Sequence, residues 1–265
     1  MSLDSGEFSA DGEGGVATVG IARGQRRLQT LPYAAIDGRA VFEGDIILGT
    51  VADIEREVLP GERGLAVADL ATLWDRGEVP YQINSQLSQQ ERVTGAIAHW
   101  EERTPIRFVR RNVQNEAAHP DWIEFVEGST CQSHIGRAGG RQEVILGPHC
   151  ELGNAVHEIG HAVGLWHEQS REDRDHYIRI LWQHIDPGKV LNFVQKVEDT
   201  QDLGPYDYGS IMHYPAVAFS IDGHSPTIEP LALPPGVQMG QRDALSEGDV
   251  AAVSTLYEKA AAARA

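Results

Sequence analysis

Between Val156 and Glu168 the chain reads VHEIGHAVGLWHE, which places His157, Glu158, His161 and His167 within eleven positions. On a helix, residues four apart project from one face a turn apart, so His157 and His161 can bind one metal ion between them. Glu158, next to His157, reaches the solvent side of that ion. Gly164, three residues beyond His161, can take a positive φ and end the helix. The chain can then turn sharply and bring His167 back as a third nitrogen donor. Three neutral imidazoles with an open fourth position describe a catalytic zinc site, because structural zinc sites are closed by four protein ligands. Zinc there would acidify a water and polarise a scissile carbonyl, while Glu158 takes the proton and later delivers it to a leaving amine. H-E-x-x-H alone also occurs on ordinary surface helices. The glycine and the third histidine at fixed offsets separate this string from that background.

A helix from about Asn154 to Gly164 must carry the string. The runs EVPYQI, IRFVRR, WIEFVE and QEVIL predict strands around it. Between the first two, a helix is expected from about Ser88 to Arg103. Its SQQE start reads as a capping box with Glu91 at N3, and Val93, Ile97 and Trp100 share one face. LSEGDVAAVSTLYEKAAAARA predicts a terminal helix capped by Ser246, with Asp249 three residues on. A long irregular region with Gly and Pro punctuation separates it from the histidine helix. Upstream, AVFEGDIILGT reads as a short strand-like stretch interrupted at Gly44. Residues 51–69, with the turn signal LPGERG, read as a linker whose Arg63 would suit a trypsin-like protease. The first fifteen residues, rich in Gly, Ser, Asp and Glu, are expected to be disordered.

Composition narrows the partners. The chain has 265 residues and a formal charge of -17, with 39 acidic against 22 basic residues, which argues against nucleic acid and anionic membrane surfaces. No apolar run approaches a membrane span, so no membrane insertion is expected. The start lacks the basic and apolar regions of a signal peptide, so a native signal was cut away or export takes another route. Cys131 and Cys150 are the only cysteines. An isolated pair suits one disulfide closing a loop, or two unrelated buried thiols, and spacing alone does not choose.

Downstream, GSIMHYP places Met212 in a tight turn followed by His213 and Tyr214. A methionine turn after the long histidine motif marks the metzincins. Glu168 directly after the third histidine, the run SREDRDHY, and a tyrosine two residues after the methionine narrow the match. Together they resemble the astacin family of zinc endopeptidases, with the likeness running from about Trp74 to Tyr257. The resemblance implies one catalytic zinc ion held by His157, His161 and His167, with Glu158 as general base. It implies that Tyr214 is a displaceable ligand whose hydroxyl stabilises the tetrahedral intermediate, and that Met212 floors the metal. Glu168 would face the buried N-terminus of the mature chain through water. His213 receives no catalytic part, and the charges from Arg171 to Asp175 are expected to form a structural ion-pair network. Protein or peptide substrates follow from the same resemblance.

The family also explains the segment before Trp74. Astacin propeptides carry an F-x-G-D element whose aspartate binds the zinc in place of the water. Here FEGD supplies Phe42, Gly44 and Asp45 around Glu43. A carboxylate oxygen is a good fourth zinc ligand, and Gly44 permits close backbone approach. The chain is therefore expected to be a zymogen: residues 1–64 a propeptide acting as intramolecular inhibitor, residues 65–265 the catalytic domain. An activating protease would cut near Arg63 to Ala68. By the same resemblance Cys131 and Cys150 match the disulfide that closes the loop before the zinc helix. A second family disulfide is missing: Pro105 stands where a cysteine is usual, and a looser tie between subdomains is expected. The chain ends soon after the catalytic domain, which suggests a compact secreted protease of bacterial type.

These readings converge on an α+β fold with two lobes, an N-lobe of about 65–164 holding a twisted sheet and the zinc helix, and a mostly irregular C-lobe of about 165–265. An extended propeptide would thread the cleft between them and cap the metal. Two rival functions remain: a noncatalytic zinc-dependent binding module, and a metallo-amidase acting on small or cell-wall peptides. Glu158 counts against the first, since zinc binding alone does not require that acid.

Overall fold

The computed structural model describes residues 14–23, 25–56, 70–195 and 202–264. The N-terminal part contributes β1 (Gly14–Arg23), β2 (Gln25–Ile36), β3 (Arg39–Phe42), β4 (Ile46–Thr50) and the short helix α1 (Val51–Arg56). The next part contains β5 (Glu78–Ile83), α2 (Glu91–Arg103), β6 (Arg107–Arg110), β7 (Trp122–Glu127), β8 (Cys131–Ser133), β9 (Arg141–Leu146) and α3 (Leu152–Ala162). A long stretch of turns follows, carrying the two-stranded ladder of β10 (Ile178–Ile180) and β11 (Ile228–Pro230). The helix α4 (Glu247–Arg264) ends the description.

One mixed sheet has the order β1-β2-β3-β4-β8-β9-β7-β5-β6. Strands β6, β5, β7 and β9 run parallel, which requires crossovers, and α2 is the crossover from β5 to β6. Strand β8 turns antiparallel to β9, and β4 docks on β8 in parallel through Ile46 and Ser133. The main core packs Trp74, Val93, Ile97, Trp100, Ile123 and Phe125 against the apolar side of α3. A second core in the turn-rich part gathers Ile178, Phe193, Tyr206, Tyr214, Phe219 and Ile228. The result is the two-lobed α+β arrangement that the sequence predicts.

Several contacts fix α3. The indole N–H of Trp74 donates to Ala162 O at 2.8 Å and that of Trp100 to Val156 O at 3.0 Å. The buried Arg92 guanidinium donates to Leu146 O, Gly147 O and Cys150 O, gripping the loop that enters α3. Glu151 and Asn154 close a capping box at its start. At the C-terminal end of the chain, Ser246 and Asp249 cap α4 reciprocally, as expected. Tyr257 buries its ring in the main core and donates its hydroxyl to Val163 O at 3.2 Å. Arg264 reaches Asp75 and the carbonyls of Leu70 and Leu73, so hydrogen bonds and packing hold α4 without a second disulfide.

Four local expectations change. Helix α2 begins at Glu91 rather than Ser88, because Ser88 gives its N–H and hydroxyl to the Glu127 carboxylate on β7 and caps nothing. Residues 51–56, expected as linker, form α1. The strand β8 and the β10–β11 ladder carry no sequence signal: each strand is only three residues long, too short for a periodic pattern. The described part of the segment expected as an extended propeptide is not one extended run, although its strand-like stretch is interrupted at Gly44 as expected. It folds into antiparallel β1–β4, since each added strand gives the preceding backbone a hydrogen-bonding partner. Disorder at the N-terminus and the cleavable stretch around Arg63 concern positions that lie largely outside the described residues.

Cys131 and Cys150 are joined, with Cα atoms 5.9 Å apart and a sequence separation of 19. The bond ties β8 to the loop entering α3. Replacing both by serine is expected to lower unfolding stability by about 3 kcal/mol in the chain-entropy account, measurable in urea titrations as a lower midpoint with a slope that rises as the unfolded chain loosens.

Candidate metal centre

Helix α3 is apolar and buried along nearly its whole length, and His157, Glu158 and His161 are fully buried within it. The helix ends as anticipated. Gly164 sits at φ +110, its N–H bonds to His161 O, and Leu165 N–H reaches back to Gly160 O. Two residues on, His167 faces the helix again, with its ring centroid 4.7 Å from that of His161 and 5.4 Å from that of His157. Beneath them lies Met212, in a turn closed by His213 N–H to Ser210 O. An added Cβ on Gly160 would stand 2.6 Å from the Met212 sulfur, so the methionine packs directly on the histidine helix.

The fourth donor comes from far upstream. Strands β3 and β4 form a hairpin whose flanking residues Phe42 and Ile46 pair, and its tip is Glu43-Gly44-Asp45. Gly44 has φ +87 and lies against Phe219: a Cβ there would stand 2.8 Å from that ring. Asp45 is fully buried. Its Oδ2 lies 3.2 Å from His157 Nε2 and 3.1 Å from His167 Nε2, and its Oδ1 lies 3.7 Å from His161 Nε2. One donor atom from each of these four side chains falls within 4.8 Å of the others.

The tautomers are set from outside the cluster. His157 Nδ1–H donates to Ile211 O at 2.8 Å, His161 Nδ1–H to Leu165 O at 2.9 Å, and His167 Nδ1–H to Glu43 Oε2 at 2.8 Å. Each ring thus turns its Nε2 to the common centre, a nitrogen that donates to Asp45 when protonated and offers its lone pair to a metal when not, the arrangement that orients metal-binding imidazoles. Among the described residues, His161 Nε2 and Asp45 Oδ1 are buried without a hydrogen-bond partner. Buried polar atoms carry a desolvation cost unless paired, and one cation shared by the four donors removes it. Electrostatics agree. Burial alone would raise Asp45, but the charge on His167 and the hydrogen bonds from the imidazoles hold it well below the usual carboxylate range. Burial would lower His167, but the Asp45 and Glu43 carboxylates push it up to about 9. Burial and the Arg242 charge press His157 well below its ordinary value. The cluster therefore calls for positive charge at its centre, and three nitrogens with one carboxylate oxygen suit zinc.

Tyr214 is fully buried beside His167, its ring centroid 4.7 Å away, and its hydroxyl donates to the backbone carbonyl of Glu43. His213 donates from Nδ1 to Tyr214 O and accepts the Tyr206 hydroxyl at Nε2, 2.8 Å away. Burial pushes it down to about 4, so it is a neutral structural link. Arg171 pairs with Glu168, Asp173 and Asp202, and Arg174 pairs with Asp175.

Glu168 lies behind the site. With Leu165, Pro205, Asp207, Met212 and Asp249 it lines a cavity of about 40 Å³. Burial pushes its carboxyl up to about 8, outweighing the Arg171 guanidinium at 3.3 Å and the Asp207 N–H that it accepts. The folded state then holds this proton where the unfolded chain, near 4.5, has lost it. The contribution of Glu168 is thus a loss of stability as pH rises from about 4.5 to about 8. A Glu168→Gln chain is expected to show a flatter stability profile across that window in urea titrations, and an identical profile would refute the assignment.

Three residues of the site escape sequence reasoning: Glu43, Arg92 and Asp249. Glu43 occupies the variable position of F-x-G-D, and its adjacency to Asp45 is the one available signal. Arg92 sits in the first turn of a helix, where a charge gives no hint of burial. Asp249 reads as a cap alone, although it also accepts from Ser210 Oγ and Ile211 N–H.

Comparisons with known proteins bear on this geometry. The family model for the astacin peptidases matches residues 66–258. Zinc metalloproteinase nas-36 of Haemonchus contortus is 38% identical over 235 residues, covering 82% of this chain and 38% of that protein. The chain thus spans well under half the length of such nematode relatives. High choriolytic enzyme 2 of Oryzias latipes is 45% identical over 184 residues, covering 68% of this chain and 63% of that protein. Among solved structures, high choriolytic enzyme 1, a hatching enzyme zinc-protease from the same fish, aligns with a TM-score of 0.64 at 38% identity. That alignment covers 71% of this chain and 95% of the solved one.

Proposed function

The chain belongs to the astacin family of peptidases, and from that membership we propose that it is a secreted zinc endopeptidase held latent by its own N-terminal segment. Latency rests on the origin of the fourth donor. Asp45 lies outside the matched residues 66–258, on a hairpin that inserts its carboxylate between the three imidazoles. Residues 1–64 are accordingly the propeptide and 65–265 the catalytic domain, with lobes of about 65–164 and 165–265. No helix among the described residues is long and apolar enough to cross a membrane.

His157, His161 and His167 would hold the ion. Bound there, zinc supplies a Lewis acid that polarises a carbonyl and acidifies water. Once the hairpin withdraws, Glu158, in the apolar body of α3, takes a proton from the attacking water and passes it to the leaving amine. The Tyr214 hydroxyl, released from the Glu43 carbonyl, becomes available to donate to the oxygen that gains charge in the transition state. Protein or peptide chains are the substrates, and a separate protease cutting near Arg63 to Ala68 is the activator.

The test is casein or gelatin hydrolysis by the intact chain and by the chain after limited trypsin treatment and trypsin inhibition, each with and without a zinc chelator. Chelator-sensitive hydrolysis only after the cut is expected. Hydrolysis by the intact chain would refute latency. Absence of hydrolysis in both forms, with zinc bound, would refute the protease.

A further inference from the structure

We propose that Glu43 is a second anchor of the latent state, a positioning residue whose carboxylate orients His167 towards the metal while Asp45 closes the metal's open face. This rests on the latency reading above and adds to it a residue with a different partner.

The argument begins with backbone. Glu43 and Gly44 are consecutive residues of positive φ, +50 and +87, at the tip of the β3–β4 hairpin. Glycine takes this conformation without steric penalty; a side chain with a Cβ does not. A strained non-glycine residue persists where its surroundings over-determine it. Glu43 is so determined. Its side chain is fully buried, Oε2 accepts from His167 Nδ1 at 2.8 Å, and Oε1 accepts from Ser170 Oγ at 2.9 Å. Its own carbonyl accepts the Tyr214 hydroxyl. Both carboxylate oxygens and the backbone are therefore engaged by the part of the chain that carries the metal cluster.

The three imidazoles differ in one respect. His157 and His161 give their Nδ1–H to Ile211 O and Leu165 O, acceptors that remain after any cut near residue 65. His167 gives its Nδ1–H to Glu43, which leaves with the propeptide. A carboxylate on the far nitrogen fixes ring orientation and raises donor strength towards a metal. Cleavage then removes two things at once: the fourth donor, and the orienting acceptor of the third imidazole. The metal is consequently held more tightly in the latent chain than the loss of Asp45 alone explains.

The experiment uses the full-length chain loaded with zinc or with cobalt(II), and reads zinc transfer to a chromophoric chelator and the cobalt absorption spectrum. Glu43→Ala is expected to release zinc about 10- to 100-fold faster than the parent, the usual cost of losing an outer carboxylate partner, and to shift the cobalt bands. Glu43→Gln keeps the size and one acceptor but no charge, and should fall between the two. It also serves if the alanine variant disturbs the hairpin. Phe42→Ala removes the apolar anchor of the same hairpin, packed on Trp166, without touching His167, and should leave the cobalt bands in place. Parental release and spectra in both Glu43 variants would overturn the proposal. So would a cobalt shift in Phe42→Ala as large as in Glu43→Ala, because Glu43 would then only pin the tip. Asp45→Ala separates the two readings. If that chain stays as inactive as the parent, Asp45 is not what holds the chain latent and the reading beneath this inference fails; if it gains activity while Glu43 variants behave as parent, this inference alone fails.

Discussion

Glu158→Gln is expected to lower casein hydrolysis by the trypsin-treated chain about 100- to 10,000-fold while zinc content stays at about one per chain. The amide matches the carboxylate in shape but cannot take a proton from water, so the loss should fall on kcat rather than on KM. Glu158 is fully buried on α3, between the two histidines that the helix contributes. Glu158 is not among the side chains whose donor atoms converge, and the three histidines stay in the processed chain, so removing the acid's charge leaves the residues that would hold the metal intact. Metal content measured on the same sample separates a lost base from a lost ion. Hydrolysis retained within about tenfold of the parent would remove Glu158 from the mechanism as its base.

Asp45→Ala should raise hydrolysis by the intact chain about 10- to 100-fold, since the buried carboxylate is engaged by charge-assisted contacts of roughly 1.5–3 kcal/mol. The gain is expected to stop short of full activity. The hairpin keeps its other attachments: Phe42 packs near Trp166, Glu43 binds His167 and Ser170, and Arg39 pairs with Glu143 on β9. Trypsin treatment should then bring parent and variant to the same rate, because residue 45 is absent from the processed enzyme. An Asp45→Ala chain that remains silent until cut would show that the hairpin blocks the cleft by bulk alone.

Much of the site is legible in the sequence because the histidine helix is local. Spacing places His157 and His161 one turn apart, Gly164 permits the sharp exit, and His167 follows three residues later; backbone geometry over a short span decides all of this. The caps of α4, the buried face of α2 and the strands β5, β6, β7 and β9 are legible for the same reason. Local misreadings arise where a distant partner competes. Ser88 has the makings of a cap, but Glu127, 39 residues away, supplies two oxygens for it.

The metal-binding helix, the donor types, the single cysteine pair and the family likeness all follow from residue identity at short separations. Chain closure settles the rest. It brings Asp45 to the three imidazoles across more than a hundred residues, and makes Glu43 rather than a backbone carbonyl the acceptor that orients His167. It also folds the N-terminal segment into a β-hairpin docked on a sheet edge. Those outcomes depend on which buried charges and unpaired backbone groups find partners when distant parts of the chain meet, and no local pattern encodes that pairing.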